Sequence, residues 1–221
     1  MRPATYFPIL WARQGELSAI ARLSPRARSV TRPMLDIPPR KDSASLDTYL
    51  CSISEQVGKG WGKGRPLYFD LSRFAPDILC ADGRHAVELL FDCARQMRLE
   101  ALPVSGPLAV RGPGTSYLDA VRGILHADGR GAAVRIPYDD FKDADSLEAT
   151  VEASLQAIAL SPDNVDLFLD AGPLEVLPEI DRSAKWLGLA YKNAIDRIEA
   201  LSFRSIVIAA SVIPGTYPKS L

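Results

Sequence analysis

The nine residues Val-Asp-Leu-Phe-Leu-Asp-Ala-Gly-Pro at 165–173 constrain this chain more than any other stretch. An apolar run this short, closing on a carboxylate and broken by Gly172-Pro173, reads as a strand buried on both faces, as in a parallel sheet. The same phrase recurs in Arg-Pro-Met-Leu-Asp-Ile-Pro-Pro (32–39) and Arg-Pro-Leu-Tyr-Phe-Asp-Leu-Ser (65–72), each with an Asp near its C-terminal end and a turn beyond. Such a strand must be covered by other elements, so the phrase predicts strand and helix in alternation.

The rest of the chain has that rhythm. Strand starts fall near residues 6, 32, 66, 100, 132, 165 and 205, separated by 26, 34, 34, 32, 33 and 40 residues. Helical periodicity fills each gap: over 14–23, then with Leu46, Leu50, Ile53 and Val57 on one face, over about 85–97 and 116–125, from a cap at Ser146 through Ile158, and over about 184–201. Alternation of this kind makes right-handed crossovers and a parallel sheet. Both an open doubly wound sheet and a (β/α)8 barrel fit it. The even spacing, and the lack of a G-x-G-x-x-G fingerprint after the first strand, favour the barrel. The expected fold is a single α/β domain over 1–221, a parallel (β/α)8 TIM-barrel-like fold with about seven strand–helix units present and the last missing. Its open edges would then favour self-association.

Several function classes fall away. With 26 basic and 27 acidic side chains the net charge is −1, which provides no global field for nucleic acid or an anionic membrane. The basic stretch Arg22, Arg26, Arg28, Arg32, Arg40 and Lys41 reads as a solvated face. Gly58-Lys-Gly-Trp-Gly-Lys-Gly64 follows a helix and lacks the Ser or Thr of a phosphate loop, so it reads as a flexible connector. Three cysteines (Cys51, Cys80, Cys93) without C-x-x-C spacing suggest reduced thiols in a core. Neither a signal peptide nor a membrane-length apolar run is evident, and a cytoplasmic location is expected. His85 and Glu88 read as a surface pair on one helix, and His126 as a cation complementing a helix C-terminus.

Tyr6-Phe-Pro-Ile-Leu with Gln14-Gly15-Glu16, Pro33-Met-Leu-Asp-Ile-Pro-Pro39, Tyr68-Phe-Asp-Leu71, Ala101-Leu-Pro-Val104, Gly129-Arg-Gly-Ala-Ala-Val-Arg-Ile136 and Val165-Asp-Leu-Phe-Leu-Asp170 together resemble the beta family proteins. These are named for the beta protein of a T4-type phage and occur in phages, prophages and bacterial chromosomes. The resemblance covers essentially the whole chain in unbroken order. It implies a phage-related or defence-related setting and a protein or host partner, but no established catalytic residues or cofactor. It also implies a Trp-rich stretch and last strand after Pro-Gly-Thr-Tyr-Pro-Lys-Ser-Leu, so the chain is expected to be C-terminally truncated at Leu221.

In barrels the reacting groups come from the C-terminal strand ends. Those ends carry Asp36, Asp70, Ser105, Arg135, Asp139, Asp140, Asp170 and Ser211. The catalytic candidates are Asp36, Asp70, Arg135 and Asp170, with Asp139, Asp140, Ser105 and Ser211 as ligand-binding candidates and no dedicated metal site. Converging carboxylates could serve a hydrolase or lyase as general acid and base, with Mg²⁺ as an oxygen-bound cation. Arg135 is the strongest oddity: a guanidinium in an apolar strand must be paired, with Asp170 or Asp70 as partner. Strand lysines for a Schiff base are lacking, and both histidines lie away from strand tips. Two readings remain: a binding protein whose Arg–Asp cluster is saturated, and an enzyme whose cluster lines a pocket.

Overall fold

The computed structural model describes residues 5–39, 45–107, 116–174, 177 and 183–211. Internal packing divides the chain into two compact units, Met1–Ala133 and Val134–Leu221.

The first unit carries β1 (Ile9–Trp11), α1 (Gln14–Ala21), α2 (Pro25–Ser29), β2 (Met34–Asp36), α3 (Leu46–Gly60), β3 (Pro66–Asp70), α4 (Ala86–Gln96), β4 (Glu100–Ser105) and α5 (Ser116–Asp128), and it reaches the start of β5 (Ala132–Pro137). All pairings from β1 to β4 are parallel, and the strands lie side by side in chain order. A doubly wound sheet would put its first strand in the middle, so this order is that of a barrel-type α/β fold. Register aligns Trp11 with Asp36 and Asp36 with Asp70. Phe69 meets Phe91 of α4 edge-on at 6.0 Å, so odd positions of β3 face the helices. By alternation Tyr68 and Asp70, with Asp36 and Trp11 in register, face the other side of the sheet.

Several expectations change here. Beyond the helix expected over 14–23, Ser24-Pro25 begins a second helix, α2: Ser24 accepts from the Ala27 amide, and Pro25 occupies the first helical position. Gly58 and Gly60 are not a loose connector but the last turn of α3. A Cβ at Gly58 would stand 3.1 Å from Met97 Cβ, and one at Gly60 3.2 Å from Ala21 Cβ, so the missing side chains permit close packing. Trp61 is fully buried, and the turn proper lies at Gly62 and Gly64, where φ is +96° and +63°. His85 is not on the surface: it is 4% exposed and caps α4. Its Nδ1 accepts from the Val87 amide at 3.1 Å, and Glu88 Oε2 accepts from the His85 amide at 3.0 Å. Cys51 and Cys93, expected as free thiols, are disulfide-bonded across α3 and α4, with Cα atoms 5.3 Å apart. Their separation of 42 residues gave no sign that these helices pack together.

The second unit continues β5 into α6 (Tyr138–Phe141), α7 (Ala144–Ile158), β6 (Val165–Pro173), α8 (Ala184–Ile198) and β7 (Ser205–Ser211). Its strands again follow chain order, and β6 and β7 pair in parallel with Asp170 opposite Ala209. β6 occupies the predicted residues, and Val165 to Ala171 are all buried. Asp143, rather than Ser146, caps α7 by accepting from the Asp145 amide. Arg40, Lys41 and the Pro214-Gly215 ending, on which further expectations fell, lie outside the described residues. Among the described residues, no helix is long and apolar enough to cross a membrane.

Candidate functional site

In the first unit the strand ends of β1 to β3 gather Trp11, Asp36 and Asp70 on one face. In-register neighbours sit about 4.8 Å apart, which makes the two carboxylates adjacent. Both are buried, at 2% and 0% exposure. The Nε–H of Arg73, in the loop after β3, donates to both oxygens of Asp36 at 2.9 Å. Asp70 Oδ1 accepts from the Ser72 amide at 2.8 Å, a turn that closes β3. The Arg73 guanidinium also lies over the Trp11 ring, 4.3 Å from its centroid, and that of Arg13 lies 4.0 Å from the same centroid.

Ser105, at the end of β4, is 1% exposed, and its hydroxyl has no hydrogen-bond partner among the described residues. Alternation places it with Pro103 on the side of the sheet opposite Asp70, so it does not join the carboxylates. His85 is spent on structure: Nδ1 caps α4, and Nε2, 3.1 Å from Pro76 O, must carry the proton and donate. Burial lowers its pKa, opposed by the bond to Pro76. The cavity beside it, lined by Leu71, Pro76, His85 and Tyr117 among others, measures ≈10 Å³, room for about one water.

In the second unit Arg135 has its expected partner. Its Nε and Nη2 both donate to Asp170 Oδ2, at 2.8 and 2.5 Å, while Asp170 Oδ1 accepts from the Gly172 amide at 2.8 Å. Of the two carboxylates proposed for Arg135, this pair is formed with Asp170. Behind it stands an aromatic cluster: Phe141 stacks on Tyr191 at 5.1 Å and meets Tyr138 edge-on at 5.3 Å. Burial pushes the Tyr191 phenol up to about 12, so it is a hydrogen-bond donor, to Ala209 O at 2.5 Å, and not a base. The ligand-binding candidates are more peripheral. Asp139 is exposed and paired with Lys142 at 2.6 Å. Asp140 is half-buried, with its pKa raised by burial and then by Asp139. Ser211 is half-buried at the end of β7, opposite Pro173.

Sequence reasoning missed two groups. Trp11, Arg13 and Arg73 carry the cationic side of the first cluster, and only the position of Trp11 at a strand end hinted at it. Asp166, fully buried at the start of β6, is gripped by Arg204 through Nε at 3.1 Å and Nη2 at 2.5 Å and by the Ser205 hydroxyl at 2.6 Å. It lies at the N-terminal strand end, where such pairs serve stability. Among the described residues, no group of three or more His, Cys, Asp or Glu is arranged to hold a metal ion.

Solved structures resemble the chain at the level of fold. XacCel5A aligns at 15% identity with a TM-score of 0.52, over 93% of this chain and 72% of that one. An alanine racemase of Clostridium difficile 630 in complex with cycloserine aligns at 9% identity and TM-score 0.47, over 100% of this chain and 53% of that one. A glucosidase from Croceicoccus marinus aligns at 14% and 0.46, over 84% and 43%. The chain thus spans about half the length of the racemase. The XacCel5A likeness, with the sequential parallel strands, shows a TIM-barrel-like α/β fold and nothing about activity. No curated protein matches the sequence. The family described as Beta protein matches residues 6–220, and the chain belongs to that family.

Proposed function

We propose that this protein acts by binding a phage or host protein, in a setting of phage–host conflict or defence, rather than by catalysing a reaction. The observation that carries this reading is that strand-end carboxylates are already held by arginines: Asp36 by Arg73 and Asp170 by Arg135. A general acid or base needs a free proton site within reach of substrate, whereas a carboxylate holding a guanidinium in place serves as an anchor. The phage-related setting that the family resemblance implies points the same way.

The other reading, a barrel hydrolase or lyase using Asp36, Asp70, Arg135 and Asp170 with or without Mg²⁺, draws on the adjacent buried pair Asp36 and Asp70. One experiment separates them. Wild type, Asp36→Asn and Asp170→Asn are assayed on chromogenic esters, phosphate esters and glycosides with and without Mg²⁺. In parallel, a photo-crosslinking residue at Gln14 captures partners in infected cells, and each is then re-bound in purified form. Saturable binding of a purified partner, with no turnover dependent on either Asp, is the expected result. Turnover that falls at least a hundredfold in a folded Asp→Asn variant would establish the enzyme instead.

A further inference from the structure

We infer that Trp11 and Arg13, at the C-terminal end of β1, form a binding site for a carboxylate, supplied by an acidic side chain of the protein partner. This deepens the binding reading and rests on it. The argument comes from an asymmetry on one indole. Two guanidiniums lie over the Trp11 ring, Arg13 at 4.0 Å and Arg73 at 4.3 Å from its centroid. A guanidinium stacked on an aromatic face keeps its N–H donors in its own plane, pointing outward and held in orientation by the ring. Arg73 shows what such a group does here: its Nε–H grips both oxygens of Asp36. Arg13 lies at a similar distance from the same ring, is exposed, and has no carboxylate partner among the described residues. Of the two guanidiniums over this ring, one therefore holds a carboxylate and the other holds none among the described residues. That second guanidinium lies at a C-terminal strand end, where α/β folds present their binding groups.

The site is fitted to an oxyanion, and a planar carboxylate can take a guanidinium N–H between its two oxygens, as Asp36 takes the Nε–H of Arg73. One exposed guanidinium gives weak affinity for a small anion, with a Kd on the order of 0.1 M.

The test follows the indole N–H signals of ¹⁵N-labelled protein during titration with glutarate and, separately, inorganic phosphate, at constant ionic strength set with chloride. Trp11→Phe identifies the Trp11 signal among those of Trp11, Trp61 and Trp186. A saturable glutarate-dependent shift of the Trp11 signal is expected, weakened at least fivefold in Arg13→Gln and partly retained in Arg13→Lys, with circular dichroism confirming that each variant is folded. No saturable shift, an equal shift in Arg13→Gln, or a response to phosphate without one to glutarate would each overturn the assignment. Failure here leaves the broader binding reading standing, since that reading is tested by turnover and by the re-bound partner.

Discussion

Replacing Arg135 by Met tests whether the Arg135–Asp170 pair is as enclosed in solution as its geometry requires. The Asp170 side chain is 8% exposed and that of Arg135 21%. Asp170 accepts three hydrogen bonds, two from Arg135 on Oδ2 and one from Gly172 on Oδ1. The methionine removes two of the three and leaves a buried carboxylate without a counter-charge. Breaking a buried pair from one side costs about 3–5 kcal/mol, and the residual exposure puts this case near the bottom of that range, about 3 kcal/mol. With a urea m-value of about 2 kcal/mol/M, the unfolding midpoint should fall by about 1.5 M. The opposite deletion is milder. Asp170→Asn keeps an acceptor for Gly172 and leaves an arginine that can reach water, so it should cost about 1–2 kcal/mol. The double variant Arg135→Met/Asp170→Leu removes both charges and should recover to within about 1 kcal/mol of wild type. Urea denaturation followed by circular dichroism measures all four proteins. If Arg135→Met unfolds within 1 kcal/mol of wild type, or if Asp170→Asn is the more damaged single variant, the buried-anchor account of this pair is wrong.

His85→Asn keeps a side-chain cap on α4 while removing a titrating group. Burial holds the His85 pKa below its ordinary value, so its contribution to stability is complete above pH about 6.5 and is lost as pH falls through the folded pKa. Between pH 7.5 and 5.5 wild type should lose stability relative to His85→Asn, by at most about 1.4 kcal/mol per pH unit; parallel curves would refute this. Reduction of the Cys51–Cys93 disulfide, which closes a loop across 42 residues, should cost about 4 kcal/mol by chain entropy, read as a lower denaturation midpoint in reductant. Cys80 is buried and its thiol is pushed up to about 11, by burial first and then by Asp47, so the native oxidised protein should react with a thiol reagent only on unfolding. Gly60→Val should destabilise by about 1–3 kcal/mol, because its Cβ would press on Ala21 Cβ at 3.2 Å and Leu17 O at 3.4 Å; an unchanged midpoint would show that α1 and α3 can separate without cost.

What could be read from the sequence was whatever depends on burial along one element. β6 matched its predicted residues because a strand covered on both faces has a continuous apolar run with sharp ends. Arg135 could be singled out because a charge inside such a run must be paired. Features that need a second element could not be read this way. Helical periodicity does not separate the first helical residue from the cap before it, so a buried cap such as His85 reads as a surface residue. Nor does it say which glycines lie under a neighbouring helix, so Gly58 and Gly60 read as a connector.

Three ion pairs with a buried carboxylate, however, share a regularity. Asp36–Arg73, Arg135–Asp170 and Asp166–Arg204 are separated by 37, 35 and 38 residues. Each separation is about one strand–helix repeat, and this has a physical cause. Parallel strands adjacent in chain order bring residues one repeat apart side by side, so a buried charge on one strand meets the residue one repeat away before any other. Applied to Asp166, a carboxylate inside the most apolar stretch of the chain, the reasoning that picked out Arg135 would have led to Arg204, just before the next strand. In a fold of this kind the repeat length is therefore a guide to partners as well as to architecture, and an Asp or Arg inside a strand is best sought against the opposite charge one repeat on.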